Sequence, residues 1–248
     1  MNLLLSLEAL KFYKLKSERL IQASFIVLFL INLLPFFLPG TDPDFSGFLR
    51  QAEALLSDPS AAIPVLTTGN WIVIGLMAVA SLFNFMATLS YAGVMVGEAT
   101  GKSLKTIAQD YLAGLPRLLL LILLLAVPAL LSAFLFFIPL IIFCAILYLV
   151  PVDLLSERKS LTESIQASSM LTRGRRLQIV LQIFTLSVLI SIPESLILYI
   201  VPAGFFPSIL VPTFFIVLQA FAQGRLLGLL YLDLVKKVSI VIPSKPFL

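Results

Sequence analysis

Long apolar runs with few or no charges alternate along this chain with short segments where polar and basic residues cluster. The runs are Leu20–Leu38, Asn70–Val96, Leu118–Val152 and Leu177–Leu230; Leu118–Val152 carries no charge, and Leu177–Gly224 carries only Glu194. A bilayer core of about 30 Å takes about 20 helical residues, so the first two runs each predict one span. The third divides at "FFIP" (Phe136–Pro139) into spans three and four, joined by a tight turn. The fourth divides within "IPESLILYIVPAGFFP", where Pro193, Pro202, Gly204 and Pro207 interrupt it. Strands of a membrane barrel would alternate apolar and polar residues, and these runs do not. The pattern predicts an all-α, polytopic membrane protein with six transmembrane helices in a single integral membrane domain over 1–248. The first run lacks a small-x-small cleavage pattern and reads as an uncleaved span.

Composition agrees. Of 248 residues, 60% are hydrophobic and 12% charged, whereas soluble domains hold about 45–50% and about 25%. There is no histidine and one cysteine, Cys144, inside an apolar run. Disulfide frameworks, zinc sites and Cys/His chemistry are therefore excluded, and Cys144 is expected to be a small buried hydrophobe.

Charge then orients the spans. The segments before span one, between two and three, between four and five, and after six carry sixteen of the seventeen basic residues. The opposite face has only Arg50, against Asp42, Asp44, Glu53, Asp58 and Glu194. The positive-inside rule places both termini in the cytoplasm. On the outer side, Phe45, Phe48, Leu49, Ala52, Leu55 and Leu56 fall at helical spacing and predict an amphipathic helix.

Three cytoplasmic segments share a layout. "KSLTESIQASSMLTRGRR" (Lys159–Arg176) opens with Ser160 and Glu163 spaced as a capping box. "GKSLKTIAQDYLAGLPR" precedes span three, with Ser103 as N-cap and a Gly-Leu-Pro-Arg hinge; "SLEALKFYKLKSER" precedes span one and starts at Ser6. Each reads as a short amphipathic helix at the headgroup boundary, followed by a two-span hairpin. The expected organisation is three hairpins, each preceded by a cytoplasmic amphipathic helix, as quasi-repeats at about 6–98, 102–155 and 159–237.

The segment Pro139–Val180, "PLIIFCAILYLVPVDLLSERKSLTESIQASSMLTRGRRLQIV", carries Pro151, Asp153, Ser160, Ser164, Ser168 and Leu171–Thr172 at characteristic spacing. With its six-span layout it resembles the YciC-type bacterial inner-membrane proteins, and the related membrane domain found beside some glycerophosphodiester phosphodiesterases. The resemblance implies a multi-pass inner-membrane protein without an established molecular activity. The phosphodiesterase chemistry of the fused relatives resides in a separate soluble domain.

Candidate chemistry is sparse. Asn32 and Asn84 lie within spans one and two, where amides bond across helices. Glu194 follows Pro193; at 1.5 Å per residue it lies about 25 Å beyond Leu177, near the outer interface. There it caps a broken helix or serves as a proton or cation site. Arg225 should snorkel to the inner headgroups, with Asp233 two turns on as a long-range partner. Gly93 and Gly97 near the inner end of span two, and Gly224 and Gly228 near that of span six, have the four-residue spacing of close helix contacts. "GEATGKS" is no phosphate loop, because Gly97 and Gly101 stand too close for that motif.

No nucleophile–base pair, paired carboxylates or metal-ligand set emerges, so no enzyme, cofactor, metal or nucleic-acid role is expected. The expected function is to organise or modulate the bilayer or a membrane complex, with a small transporter or permease component as the alternative. The candidate surface is a basic collar of Lys102, Lys105, Arg117, Arg158, Lys159, Arg173, Arg175 and Arg176. Its expected partners are anionic headgroups on the cytoplasmic face or a membrane protein.

Overall fold

The computed structural model describes residues 4–11, 18–58, 60–133, 138–157, 159–202 and 204–237. Among them the chain forms α1 (Leu4–Ala9), α2 (Glu18–Phe37), α3 (Ser46–Ser57), α4 (Thr68–Ala99), α5 (Leu104–Ala133), α6 (Ile138–Ile146), α7 (Val150–Ser156), α8 (Leu161–Leu171), α9 (Arg176–Ile200) and α10 (Phe205–Tyr231). A π-helical turn, Leu232–Lys236, continues α10. Six stretches are long and apolar enough to cross a membrane: Arg19–Phe37, Thr68–Ala99, Leu104–Leu130, Pro139–Ser156, Arg176–Ile200 and Phe205–Lys236. They correspond to the six predicted from the hydrophobic pattern.

Several local expectations are corrected. The turn expected at Phe136–Pro139 lies mostly outside the described residues, and α6 is already helical at Ile138. The fourth span is instead interrupted at 147–149, between α6 and α7. Pro193 does not break the fifth span, because α9 continues through it to Ile200. The segment expected as a separate interfacial helix before span three is the first part of α5, which runs through Gly114 and Pro116 without interruption. Ser103 still caps it, accepting from the Thr106 amide at 3.2 Å. Gly114 is a contact point rather than a hinge: a methyl group there would lie 2.6 Å from the Leu154 carbonyl oxygen of α7. Packing against α7, with Leu118 and Leu121 buried along the same helix, outweighs the local tendency of Pro to end a helix.

Before span one, α1 begins at Leu4, and residues 12–16 of the expected helix lie outside the described set. Ser6 is no N-cap. It is fully buried and donates to the Gln182 carbonyl of α9 at 3.2 Å. Cys144 is exposed rather than buried, as are Ile141, Ile142 and Phe143 before it in α6.

The residues group into two compact units. One comprises Met1–Glu18, Ala87–Ser191 and Gln219–Leu248; the other comprises Arg19–Met86 and Ile192–Leu218. In the first, α7 packs against α5 and α8, and α6 against α5. Here α4 and α10 approach through glycine, but from one side only. A methyl on Gly224 would lie 2.4 Å from the Thr88 carbonyl oxygen, and one on Gly228 would lie 3.0 Å from Met95 Sδ. Thr88 Oγ1 donates to the Ala220 carbonyl at 2.9 Å, and Tyr91 meets Phe221 edge to face. The glycines of α4 do not face α10: Gly93 has nothing within 4 Å of a methyl, and Gly97 packs on Ile107 of α5. The α4 surface at this contact is Thr88, Tyr91, Ala92 and Met95.

In the second unit, Asn32 Nδ2 donates to Asn84 Oδ1 at 3.1 Å and Asn84 Nδ2 to Asn32 Oδ1 at 2.8 Å. Each amide thus bonds across helices, and each is the other's partner. Interhelical bonds in membranes average about 0.6 kcal/mol, so the pair fixes the register of α2 on α4 more than it stabilises them.

The glycine contact makes a sharp prediction. Gly224→Ala should lower the melting temperature in detergent, with a cost of about 1–3 kcal/mol, because a backbone carbonyl cannot yield to the added methyl. Gly93→Ala should be neutral or stabilising by up to about 1 kcal/mol, since its space is open and Ala favours helix. Equal shifts for both would rule out the one-sided contact.

Candidate functional site

The sequence motif around Pro151–Thr172 folds into a densely bonded part of the first unit. Pro151 stands in the first turn of α7, where its missing N–H has no intrahelical partner to lose. Every other residue of this seven-residue helix is buried. Asp153, 3% exposed, is thus carried into the interior. Its carboxylate accepts from Lys159 Nζ at 3.0 and 3.1 Å and from the Tyr231 hydroxyl at 2.5 Å. A buried charge is tolerated only when paired and hydrogen-bonded, and here both conditions are met from different elements.

The end of α7 is held in the same manner. Lys102 Nζ donates to the Ser156 carbonyl at 2.5 Å and pairs with Asp110 at 2.9 Å. Lys236 Nζ pairs with Glu157 at 2.6 Å. Arg117 donates to the Lys159 carbonyl at 3.0 Å. Three members of the expected collar, Lys102, Arg117 and Lys159, therefore act as internal joints.

Behind this node, α8 starts at Ser160 with both bonds of a capping box: the Glu163 amide donates to Ser160 Oγ at 3.3 Å, and the Ser160 amide to Glu163 Oε2 at 3.0 Å. Those bonds from Ser160, backbone first, with Lys159 nearby, hold the Glu163 carboxyl below its ordinary value of 4.5. The inward side of α8 combines half-buried Leu161 and Ile165 with more deeply buried small polar residues. Ser164, Ser168 and Thr172 are buried, while Met170 is 63% exposed. Small residues at this spacing let the helix come close, and Ser168 Oγ donates at 2.6 Å to the carbonyl of Ile146, where α6 ends. Ser164 Oγ is buried without a hydrogen-bond partner.

The remaining collar residues lie elsewhere. Lys105, Arg173 and Arg175 are exposed, Arg176 is half-buried with its Nε enclosed, and Arg158 lies outside the described residues. Arg175 and Asp233 approach to 3.8 Å, both about half exposed, a pair that contributes about 0–1 kcal/mol. Gly174 has φ +79°, the left-handed conformation that turns the chain from α8 into α9.

Of the intramembrane candidates, Asn32 and Asn84 meet each other, and Glu194 lies within continuous α9 rather than at a break. Arg225 neither snorkels nor pairs with Asp233. It is 8% exposed, and donates from Nε to the Glu8 carbonyl at 2.9 Å and from a terminal nitrogen to the Tyr91 hydroxyl at 3.3 Å. Glu8 stands next to the last residue of α1, and its carbonyl also accepts from the Lys11 amide at 3.1 Å. The guanidinium thus adds a second bond at the end of α1 and ties it to α10.

A shallow cleft beside the node is lined by Gly93, Gly97, Lys102, Asp110, Tyr111 and Glu157, among others. It leaves about 10 Å³ for the centre of a water molecule, about enough for one water. No cluster of three metal-ligating side chains occurs among the described residues. Asp110, Tyr91 and Tyr231 had no signal in the sequence. Their partners stand 8, 134 and 78 positions away, beyond any local spacing rule.

Comparison with known proteins finds no matching family model, no matching curated protein and no matching solved structure.

Two serines on one face of α8 separate bonding from packing. Ser168→Ala should destabilise by about 1–3 kcal/mol, because it leaves the Ile146 carbonyl unsatisfied. Ser164→Ala should be neutral or stabilising, because it deletes a hydroxyl that bonds to nothing. Thermal unfolding in detergent distinguishes them; a reversed order would refute this assignment of roles.

Proposed function

We propose that the chain is a non-enzymatic, multi-pass protein of the bacterial inner membrane, of the YciC-type, that organises or modulates the bilayer or a membrane complex. In this reading both termini are cytoplasmic, the spans form three hairpins each entered from a cytoplasmic segment, and a basic cytoplasmic surface holds anionic headgroups. The observation that carries the reading is the division among the cations. Lys102, Arg117 and Lys159 turn inward and lock α5, α7 and α8 together, while Lys105, Arg173 and Arg175 stay exposed on those elements and on the turn after α8. Exposed cations on a fixed platform suit a planar array of phosphates.

The transporter alternative needs polar groups that converge on a hydrated path. Of its intramembrane candidates near Glu194 and the expected helix breaks, the amides of Asn32 and Asn84 are directed at each other, Arg225 is bonded to the Glu8 carbonyl and Tyr91, and Glu194 lies within continuous α9.

The test is the triple variant Lys105→Gln, Arg173→Gln and Arg175→Gln, purified in mild detergent, with co-purifying lipids quantified by mass spectrometry. Each basic residue contributes about 1 kcal/mol toward an anionic surface. Enrichment of anionic lipid should therefore fall to the level of the bulk extract while the melting temperature is unchanged. Undiminished enrichment would overturn the lipid-binding surface.

A further inference from the structure

The second unit holds an amphipathic helix whose apolar side is only partly covered. On α3, Phe45, Phe48, Leu49, Ala52, Leu55 and Leu56 fall within an arc of about 120°, with polar residues and Ala54 on the other side. No residue of α3 is fully buried. Leu49 is 57% and Leu56 88% exposed, and beyond the helix Ile63 and Val65 are also exposed.

The position of α3 is fixed by bonds to the start of α4. Asn70 Nδ2 donates to the carbonyls of Asp42 and Asp44 at 2.7 and 3.2 Å, and Thr67 Oγ1 donates to Asp42 Oδ2 at 3.2 Å. Gly69 allows that approach, since a methyl there would lie 2.6 Å from Asp42 Cβ. Asp44 in turn accepts from the Ser46 amide, the first of α3, at 2.8 Å. One turn and more along, Gln51 Oε1 accepts from the Val65 amide at 2.8 Å. Both ties, about 10 Å apart along the helix, end on residues 65–70. The helix therefore lies across the entrance of α4 instead of projecting away from it.

That entrance is at the membrane boundary on a separate ground. Trp71 in the first turn of α4, Phe37 at the end of α2, Tyr199 at the end of α9, and Phe205 and Phe206 at the start of α10 are all exposed. Phe37 also packs on Phe205 and Phe206. Aromatic side chains gathered at span ends mark the headgroup level.

We propose that α3 is an interfacial anchor, with Leu49, Leu56 and the adjoining apolar face inserted at the headgroup–acyl boundary beside Trp71. The occupant of this face is lipid, continuous with the lipid around the exposed sides of the spans. The charges on and around α3, Asp42, Asp44, Glu53 and Asp58 against Arg50, oppose attraction to anionic headgroups. Apolar burial is thus the attachment, and it is independent of the basic surface proposed above.

Trp71 is the single tryptophan, which makes fluorescence selective. The full chain, and the variants Trp71→Phe/Leu56→Trp and Trp71→Phe/Ala54→Trp, are placed in phosphatidylcholine vesicles with or without brominated acyl chains. Circular dichroism confirms equal helix content, and Leu49→Trp replaces Leu56→Trp should the latter lose helix. Bromination should quench the native Trp71 and the tryptophan at 56 alike, leave the one at 54 bright, and act equally at low and high salt. A bright tryptophan at 56 beside a quenched Trp71 would overturn the anchor and leave the apolar face to a protein partner. An unquenched Trp71 would overturn the assigned membrane level.

Discussion

Inside a bilayer, a backbone or side-chain polar group with no partner in the protein has no water to turn to. The break in the fourth span is where this constraint acts most strongly. When α6 stops at Ile146, its last carbonyls are released, and the Ser168 hydroxyl answers one of them. When the helix restarts as α7, Pro151 fills a first-turn position that has no bond to give. The restart brings Asp153 into the interior, and that carboxylate in turn fixes Lys159 and Tyr231. The placement of α8 and of the end of α10 follows from these partners.

The same requirement explains features that resemble sites when read singly. Arg225 is a buried cation, but its donors meet the Glu8 carbonyl at the end of α1 and the Tyr91 hydroxyl. The two asparagines satisfy one another. Each is a joint between elements.

Hydrophobic periodicity disclosed the six apolar helices because a span is a property of about 20 consecutive residues. The capping box at Ser160 and the helix at Ser46–Ser57 were legible for related reasons: spacing and arc are local signals. What failed was long-range. Gly114–Pro116 has the local character of a hinge, yet α7 packs against it and the helix continues. Gly93 shares the spacing of Gly224, yet only the latter meets a neighbouring backbone. Asp153 stood out only through the resemblance, and nothing local marks Tyr231 as its partner. Small polar residues on α8 read as a soft motif, while their size and one hydroxyl set how near the helix can come.

Asp153 is the node joining α7 to α10. A double-mutant cycle of Asp153→Asn and Tyr231→Phe, read by reversible unfolding in detergent, measures that link without its contributions from other contacts. A direct bond within one buried network predicts a coupling energy of about 1–3 kcal/mol. Additive effects, to within about 0.5 kcal/mol, would contradict it.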